Sequence, residues 1–246
     1  MAGLAQETPL ATAGGGSGAD LSLLYDINGL SKAAPPWVDS IMGFVGETGI
    51  MLAMGIVGLW AWWSARRQGT AEDSVAAVAG LAWAPLAAAA AVVVNIPIRG
   101  FVERPRPFVD HDGLEVLVSG KTDFSFVSDH STMAMALAVG IFLAHRRFGF
   151  VALGLAFAEG FLRIYMGVHY PTDVIGGLAL GTAVTLLLAP LALALLTPLV
   201  SAIAGSRAGG LVRAGNAGRG RDGERSGHFG IPEPRTEGKG EKDLAA

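Results

Sequence analysis

Five uncharged runs of mostly apolar residues constrain this chain more than any other feature of its sequence. They occupy residues 48–65, 74–98, 131–144, 148–158 and 174–206. A helix needs about 20 predominantly apolar residues to cross the hydrocarbon core of a bilayer. The third and fourth runs are short, but they become long enough when their helices include His130 and Met166. The sequence therefore predicts an all-α, polytopic membrane helix bundle with about five transmembrane helices.

The overall composition agrees with a membrane protein and excludes other classes. Of the 246 residues, 51% are hydrophobic and only 16% are charged, which is typical of membrane proteins. The net charge of −3, with no basic patch between aromatic residues, argues against a nucleic-acid partner. Because the chain has no cysteine, it can form neither disulfides nor thiolate metal sites.

The segments outside the apolar runs define the predicted domains. Residues 1–19 are rich in glycine and alanine and are predicted to be a disordered tail. Residues 20–46 form a predicted interfacial amphipathic segment of one or two helices, with Asp20 as an N-cap. Residues 47–206 are the predicted transmembrane catalytic domain, and the polar residues 207–246 are a predicted disordered cytoplasmic tail.

Basic residues in the short loops predict the orientation of the bundle. Arginine pairs occupy positions 66–67 and 146–147, and a basic tail follows the last run. The positive-inside rule places these three segments in the cytoplasm. The remaining loops, 99–129 and 163–173, then share the extracytoplasmic face. We therefore predict a multi-pass plasma membrane protein in which these two loops lie together outside the cell.

Three charged motifs lie in or beside these two loops. They are Arg99-x6-Arg106-Pro107, Ser128-Asp129-His130 and Arg163-x5-His169-x3-Asp173. Ionisable groups beside membrane helices are costly, and they indicate a functional site. Guanidinium groups bind phosphate oxygens as a fork. Ser128 is a predicted N-cap, beyond which free backbone N–H groups form an anion site. Asp173 can accept a hydrogen bond from one ring nitrogen of His169 and leave the other nitrogen with a free lone pair, which would orient His169 as a nucleophile. Together these residues indicate that phosphate is held and transferred to histidine.

Glu159 lies one turn before Arg163 and is predicted to neutralise it as an i,i+4 partner. No metal cofactor is predicted, because the arginines supply the positive charge that a metal would otherwise provide. Two other functional classes stay open. A lipid-carrier transporter is one, although the chain has no internal repeat. The other is a metal-dependent hydrolase, whose ligands would be His130, His169, Asp129 and Asp173.

The order and spacing of the three motifs resemble the type 2 phosphatidic acid phosphatase (PAP2) superfamily, over roughly residues 45–200. The family motifs read Lys-x6-Arg-Pro, Pro-Ser-Gly-His and Ser-Arg-x5-His-x3-Asp. This chain has Arg99 for the lysine, Val127 for the proline, Asp129 for the glycine and Leu162 for the serine. Its Ser-Asp-His form resembles the bacterial branch that dephosphorylates undecaprenyl diphosphate and confers bacitracin resistance.

The resemblance implies a cofactor-free lipid phosphatase that hydrolyses a polyprenyl diphosphate through a phosphohistidine, in recycling of a cell-wall lipid carrier. It makes His169 the nucleophile, oriented by Asp173, and His130 the acid and then the base. The phosphate oxygens would be held by Arg99, Arg106, Ser128, the backbone at Asp129, and Arg163. Hydrolysis of phosphatidylglycerophosphate or phosphatidic acid on the same scaffold is the alternative. The sequence leaves isoprenoid length, preference for diphosphate over monophosphate, and oligomeric state open.

The Arg99 departure carries its own prediction. A lysine meets phosphate as a compact point charge, whereas arginine presents a planar fork that can bridge two oxygens. Arg99 is therefore predicted to contact the leaving phosphate of a diphosphate as well as the transferred one. Under this hypothesis, replacing it by lysine impairs a prenyl diphosphate more than a monophosphate.

Overall fold

The computed structural model describes residues 18–67 and 69–214. Every regular element among these residues is helical, and none is a strand. The α-helices are α1 (Gly18–Ala33), α2 (Pro36–Phe44), α3 (Ile50–Ala65), α4 (Ala71–Val102), α5 (Pro107–Asp110), α6 (Asp129–Ala144), α7 (Arg146–Tyr165) and α8 (Pro171–Ala204). A π-helical turn, Val45–Gly49, joins α2 to α3, and a 3-10 turn, Gly209–Leu211, follows α8.

Among residues 18–67 and 69–214, four helical stretches are long and apolar enough to cross a membrane. They are Pro36–Ala65, Ala71–Asp110, Arg146–Tyr165 and Pro171–Ala204. The apolar helix α6 has 16 residues, so it rises only about 24 Å. It packs most extensively against α7, α4 and α8. The predicted membrane helix bundle is confirmed, with four full-length candidate spans and a shorter fifth helix enclosed by its neighbours.

Local interactions determine where α4 ends and where α6 and α8 begin, all at the same end of the bundle. Helix α4 stops at Glu103, whose left-handed backbone (φ 46°) lets its N–H reach the carbonyl of Arg99 at 3.0 Å. Ser128 is the N-cap of α6, as predicted. Helix α8 begins with Pro171, whose missing N–H costs nothing in a first turn. The polar connections at this end therefore start and stop at fixed positions.

The predicted boundary at residue 46 is not a break in the helix. Helix α2 continues through the π turn into α3, so residues 36–65 form one apolar stretch. Residues 20–46 are therefore not a separate segment. The N-cap prediction for Asp20 is also wrong, because α1 starts at Gly18 and Asp20 lies inside its first turn.

Residues 207–214 pack against the bundle, contrary to the predicted disorder. Val212 is buried, and the N–H of Ala214 donates to the carbonyl of Arg66 at 2.8 Å. The indole N–H of Trp62 donates to the carbonyl of Leu211 at 3.0 Å. Backbone acceptors hold this segment although its own composition is polar. The tail predictions for residues 1–17 and 215–246 lie outside the described residues.

Close packing of α4 on α6 depends on Gly140, and this generates a prediction. A Cβ there would lie 2.6 Å from the Cα of Ala84 on α4, whereas one at Gly154 of α7 would meet nothing within 4 Å. We expect Gly140→Ala to destabilise the bundle by about 1–3 kcal/mol through overpacking. Gly154→Ala should be neutral or slightly stabilising. Thermal unfolding in detergent measures both; equal midpoints for the two variants would contradict this packing.

Candidate active site

One end of the helix bundle brings the three motifs together. The N–H of Ser128 at the start of α6 donates to the carbonyl of Asp173 in α8 at 3.1 Å. Arg106, which follows α4, donates to the carbonyl of Val168, which follows α7, at 3.0 Å. The two loops predicted to share a face are therefore in direct contact.

His169 is buried at the centre of this end. Hydrogen bonds at both of its ring nitrogens fix the orientation of the ring. Its fractional exposure is 4%. Nδ1 lies 2.9 Å from the carbonyl oxygen of Ser125, which can only accept, so Nδ1 carries the hydrogen. Nε2 is then an acceptor and receives a hydrogen bond from Nη1 of Arg106 at 3.2 Å. Burial lowers the pKa of His169 below its ordinary value; Asp173 opposes this shift, and Arg106 adds to it. The ring is therefore neutral.

Asp173 does not hydrogen-bond His169 directly, contrary to the predicted orientation. Its Oδ2 is 3.7 Å from Nδ1, which is longer than a hydrogen bond. This oxygen instead accepts from the hydroxyl of Ser125 and from the N–H of Tyr170, the latter at 2.9 Å. The cause is local, because Asp173 caps the first turn of its own helix. Asp173 therefore positions His169 through Ser125 and through its charge.

Arg99 and Arg106 share one carboxylate, that of Asp123. Arg106 donates to Oδ1 at 2.8 Å, and Arg99 donates to Oδ2 at 2.8 Å. Burial alone would raise the pKa of Asp123, but the hydrogen bond and charge of Arg106 outweigh it and hold the pKa below its usual value. Arg106 is only 5% exposed. The two arginines predicted to bind phosphate therefore already hold an anion.

Arg163 is likewise held by carboxylates of the protein. It is 1% exposed, and its Nη1 lies 3.1 Å from Oε2 of Glu47 in the π turn. Its Nη2 donates to the carbonyl of Gly46. Its Nε lies 3.1 Å from Oε1 of Glu159, the predicted i,i+4 partner, although the angle is not that of a hydrogen bond. Lys121 donates to the other oxygen of Glu47 at 2.6 Å.

The second motif contributes a helix start and a histidine. Ser131 donates to the hydroxyl oxygen of the N-cap Ser128 through its backbone at 3.4 Å and its hydroxyl at 3.1 Å. The side chain of Asp129 pairs with Arg99 and accepts from the amide of Asn95 at 2.7 Å. Because this carboxylate is negative, only its backbone N–H suits a phosphate. His130 follows Asp129 in the first turn of α6.

The site is thus a cluster of cations whose acceptors are carboxylates of the protein itself. A phosphate can replace such carboxylates, because both groups fit the guanidinium fork. Among residues 18–67 and 69–214, no group of three or more His, Asp or Glu side chains is arranged to hold a metal ion.

Several residues that shape the site were missed by the sequence reasoning. Arg104 donates to Asp173 Oδ1 at 2.7 Å, to Thr172 Oγ1 at 2.7 Å and to Asp20 Oδ2 at 2.7 Å. The Arg104-Pro105-Arg106-Pro107 repeat was a signal that could have identified Arg104. Asp20 is distant in sequence and carried no signal. The other missed residues are Glu47, Lys121, Asp123 and Ser125.

Comparison with known proteins assigns the chain to a family. A family model described as the PAP2 superfamily matches residues 80–196. Undecaprenyl-diphosphatase BcrC of Bacillus subtilis (strain 168) is 33% identical over 141 residues, which cover 57% of this chain and 68% of BcrC. The chain belongs to the PAP2 superfamily. Within that superfamily it is also similar to putative undecaprenyl-diphosphatase YbjG of Escherichia coli (strain K12). YbjG is 32% identical over 165 residues, which cover 66% of this chain and 77% of YbjG.

A solved structure agrees with the helical architecture. The crystal structure of Aquifex aeolicus LpxE superposes with a TM-score of 0.51 at 22% identity. The alignment covers 70% of this chain and 94% of LpxE. At this identity the likeness speaks for the fold alone.

The position of Arg104 predicts a role in catalysis rather than in phosphate binding. It touches Asp173 and Asp20 but not His169, so Arg104→Gln should lower kcat for a prenyl diphosphate with little change in KM. Loss of a charge-assisted hydrogen bond of about 1.5–3 kcal/mol corresponds to roughly ten- to a hundredfold. Arg147→Gln, an exposed change in the first turn of α7, is the matched control. A large rise in KM at unchanged kcat would instead make Arg104 a substrate contact.

Proposed function

We propose that this chain is an integral membrane lipid diphosphate phosphatase that hydrolyses a polyprenyl diphosphate, of the undecaprenyl type, to the monophosphate and inorganic phosphate. The observation that carries the proposal is the buried, neutral His169, whose Nε2 accepts a hydrogen bond from one of the carboxylate-held arginines. The names of the two curated relatives support this substrate class. The product suits recycling of a cell-wall lipid carrier.

Binding of the terminal phosphate would exchange one set of acceptors for another. Phosphate oxygens would replace the carboxylate of Asp123 at Arg99 and Arg106 and take up donors of Arg163. Backbone N–H groups at the start of α6, including that of Asp129, and the hydroxyl of Ser128 would complete the set. When Arg106 turns its N–H to phosphate, the lone pair of His169 Nε2 becomes free to attack.

The first chemical step would form a bond between Nε2 of His169 and the terminal phosphorus. The negative charge of the bound diphosphate favours a protonated His130 ring, which takes this proton from solvent or substrate as the complex forms. The bond from the terminal phosphorus to the bridging oxygen breaks, and His130 gives its proton to this oxygen. The prenyl monophosphate leaves. The phosphorylated ring still carries its Nδ1 hydrogen and is cationic. The Ser125 carbonyl at 2.9 Å and the Asp173 carboxylate at 3.7 Å are placed to stabilise that charge.

The second step would return the enzyme to its starting state. Water attacks the phosphohistidine, and His130, now neutral, accepts the proton that the water loses. The nitrogen–phosphorus bond breaks, inorganic phosphate forms, and His169 recovers its lone pair. The arginines stabilise the charge on the equatorial oxygens in both steps, and no step uses a metal.

We further propose that the protein is multi-pass in the plasma membrane, with the site on the extracytoplasmic side. The supporting observation is the charge at the opposite end of the helices, where the Arg66–Arg67 and Arg146–Arg147 pairs lie. Basic residues in short loops favour the cytoplasm. A site on the other face would meet a carrier released outside the cell.

A substrate panel tests the proposed activity. Detergent-purified protein in EDTA buffer is assayed for phosphate release from polyprenyl diphosphates of several lengths, diacylglycerol phosphate and phosphatidylglycerophosphate. We expect the highest kcat/KM on a polyprenyl diphosphate. Preference for phosphatidylglycerophosphate or diacylglycerol phosphate would replace the proposed substrate, and activity that requires added Zn²⁺ or Mg²⁺ would overturn the metal-free mechanism.

Loss of the nucleophile should abolish turnover without unfolding the protein. We predict that His169→Ala lowers kcat by several orders of magnitude, because the mechanism places no other nucleophile beside the arginines. Asp173→Asn should lose less, since it removes charge and a cap but leaves the attacking atom. His145→Ala, between α6 and α7 at the far end, is the control. Near-wild-type rates in His169→Ala would contradict the phosphohistidine mechanism.

The orientation is testable because the chain has no native cysteine. Ser119→Cys lies in the exposed loop before α6, and Gly69→Cys lies in the exposed loop between α3 and α4. We expect an impermeant maleimide added to intact cells to label Ser119→Cys but not Gly69→Cys. Permeabilised cells should label both. The reverse pattern in intact cells would place the site in the cytoplasm.

A further inference from the structure

A second pair of cations at the site is bridged by a single carboxylate. One oxygen of Glu47 accepts from Nζ of Lys121 at 2.6 Å, and the other accepts from Nη1 of Arg163 at 3.1 Å. Asp123 bridges Arg99 and Arg106 in the same manner. Because phosphate and carboxylate oxygens suit the same donors, each bridging carboxylate marks a position that a phosphate group can occupy. The site thus has two such positions.

The two positions stand differently to the proposed nucleophile. Arg106, in the Asp123 cluster, touches His169 at 3.2 Å. The donors of the Glu47 position are Lys121 and Arg163, and both are held by the Glu47 carboxylate. The Asp123 position is therefore the one beside the proposed nucleophile, and the Glu47 position is left for the second phosphate of a diphosphate.

The loop before α6 builds both positions. Lys121 and Asp123 are two residues apart in this loop. Lys121 pairs with Glu47, and Asp123 pairs with Arg106. Glu47 comes from the π turn between α2 and α3, and such turns often occur at functional sites. In that turn Gly46 passes so close to α7 that a Cβ would lie 2.8 Å from the Met166 side chain. This close approach lets the Gly46 carbonyl reach Arg163.

We propose that Lys121 binds the leaving phosphate of a diphosphate substrate, and that this phosphate takes the place of the Glu47 carboxylate. The inference rests on the proposed function. When a diphosphate is cleaved, the group leaving on the side of His130 is itself a phosphate, whose charge needs a cation that a lipid monophosphate does not. Under this proposal Lys121, rather than Arg99, is the residue that distinguishes diphosphates from monophosphates. Glu47 neutralises Lys121 and Arg163 while the site is empty.

Kinetics of Lys121→Met on matched substrates test this role. Initial rates are measured with farnesyl diphosphate and farnesyl phosphate in detergent micelles. We expect kcat/KM for the diphosphate to fall by roughly ten- to a hundredfold, the value of one charge-assisted contact, and that for the monophosphate by about threefold or less. Lys121→Arg should restore most of the loss. The matched control is Lys32→Met, an exposed lysine in the last turn of α1.

Inhibition by inorganic anions gives a second readout that does not depend on monophosphate turnover. Pyrophosphate spans both positions, whereas phosphate fills one. Lys121→Met should raise the inhibition constant of pyrophosphate by about tenfold or more and leave that of phosphate within about threefold. Glu47→Gln, which removes the competing anion, should lower the inhibition constant of pyrophosphate. An unchanged or higher constant in Glu47→Gln would overturn the exchange of phosphate for carboxylate.

The outcomes separate this inference from the proposed function. Equal losses of Lys121→Met on farnesyl diphosphate and farnesyl phosphate, with equal changes in both inhibition constants, would overturn the role of Lys121. A diphosphate-selective loss in Arg99→Lys but not in Lys121→Met would assign the leaving phosphate to Arg99 instead. If the wild-type protein released phosphate from no prenyl diphosphate, the proposed function itself would fail, whatever the inhibition constants showed.

Discussion

The need to neutralise buried arginines organises the catalytic end of this protein. Arg106 and Arg163 are almost fully enclosed, and a buried charge without a partner costs several kcal/mol. The fold supplies carboxylates from separate elements, namely Asp123 from the loop before α6, Asp129 from the first turn of α6, and Glu47 from the π turn. In the proposed function, an entering phosphate would exchange one anion for another, so the guanidinium groups would keep an anionic partner throughout. The carboxylates would thus preorganise the site for an anion before substrate arrives.

A second set of contacts holds the proposed nucleophile in place. The ring of His169 is fixed by the Ser125 carbonyl, Ser125 donates its hydroxyl to Asp173, and Asp173 accepts from Arg104. Arg104 also pairs with Asp20 of α1. Helix α1 is not among the candidate membrane spans, but through Asp20 it supports the contacts that hold His169. Positioning of this kind reduces the reorganisation that a reaction requires.

The sequence predicted the helical bundle and the meeting of the three motifs, because long apolar runs and costly charges beside them leave few alternatives. The sequence-based predictions failed where a contact between residues distant in sequence outweighs local composition. The polar segment 207–214 packs because Arg66 and Trp62 bond its backbone. Asp20 and Ser125 gave no signal, since their partners lie far away in sequence. The predicted direct hydrogen bond between Asp173 and His169 was wrong, because the N–H of Tyr170 at the start of α8 occupies the same oxygen of Asp173. The chemical roles of the site residues stay predictions.

Detection of phosphate on His169 during turnover is the direct test of the phosphohistidine mechanism. Purified protein is mixed with farnesyl diphosphate carrying ³²P in its terminal phosphate, quenched in base within one turnover, digested and sequenced by mass spectrometry. We expect a base-stable, acid-labile phosphate on Nε2 of His169, on no other residue, that decays as inorganic phosphate appears. Phosphate release without any phosphoprotein, or a label on another residue, would contradict it.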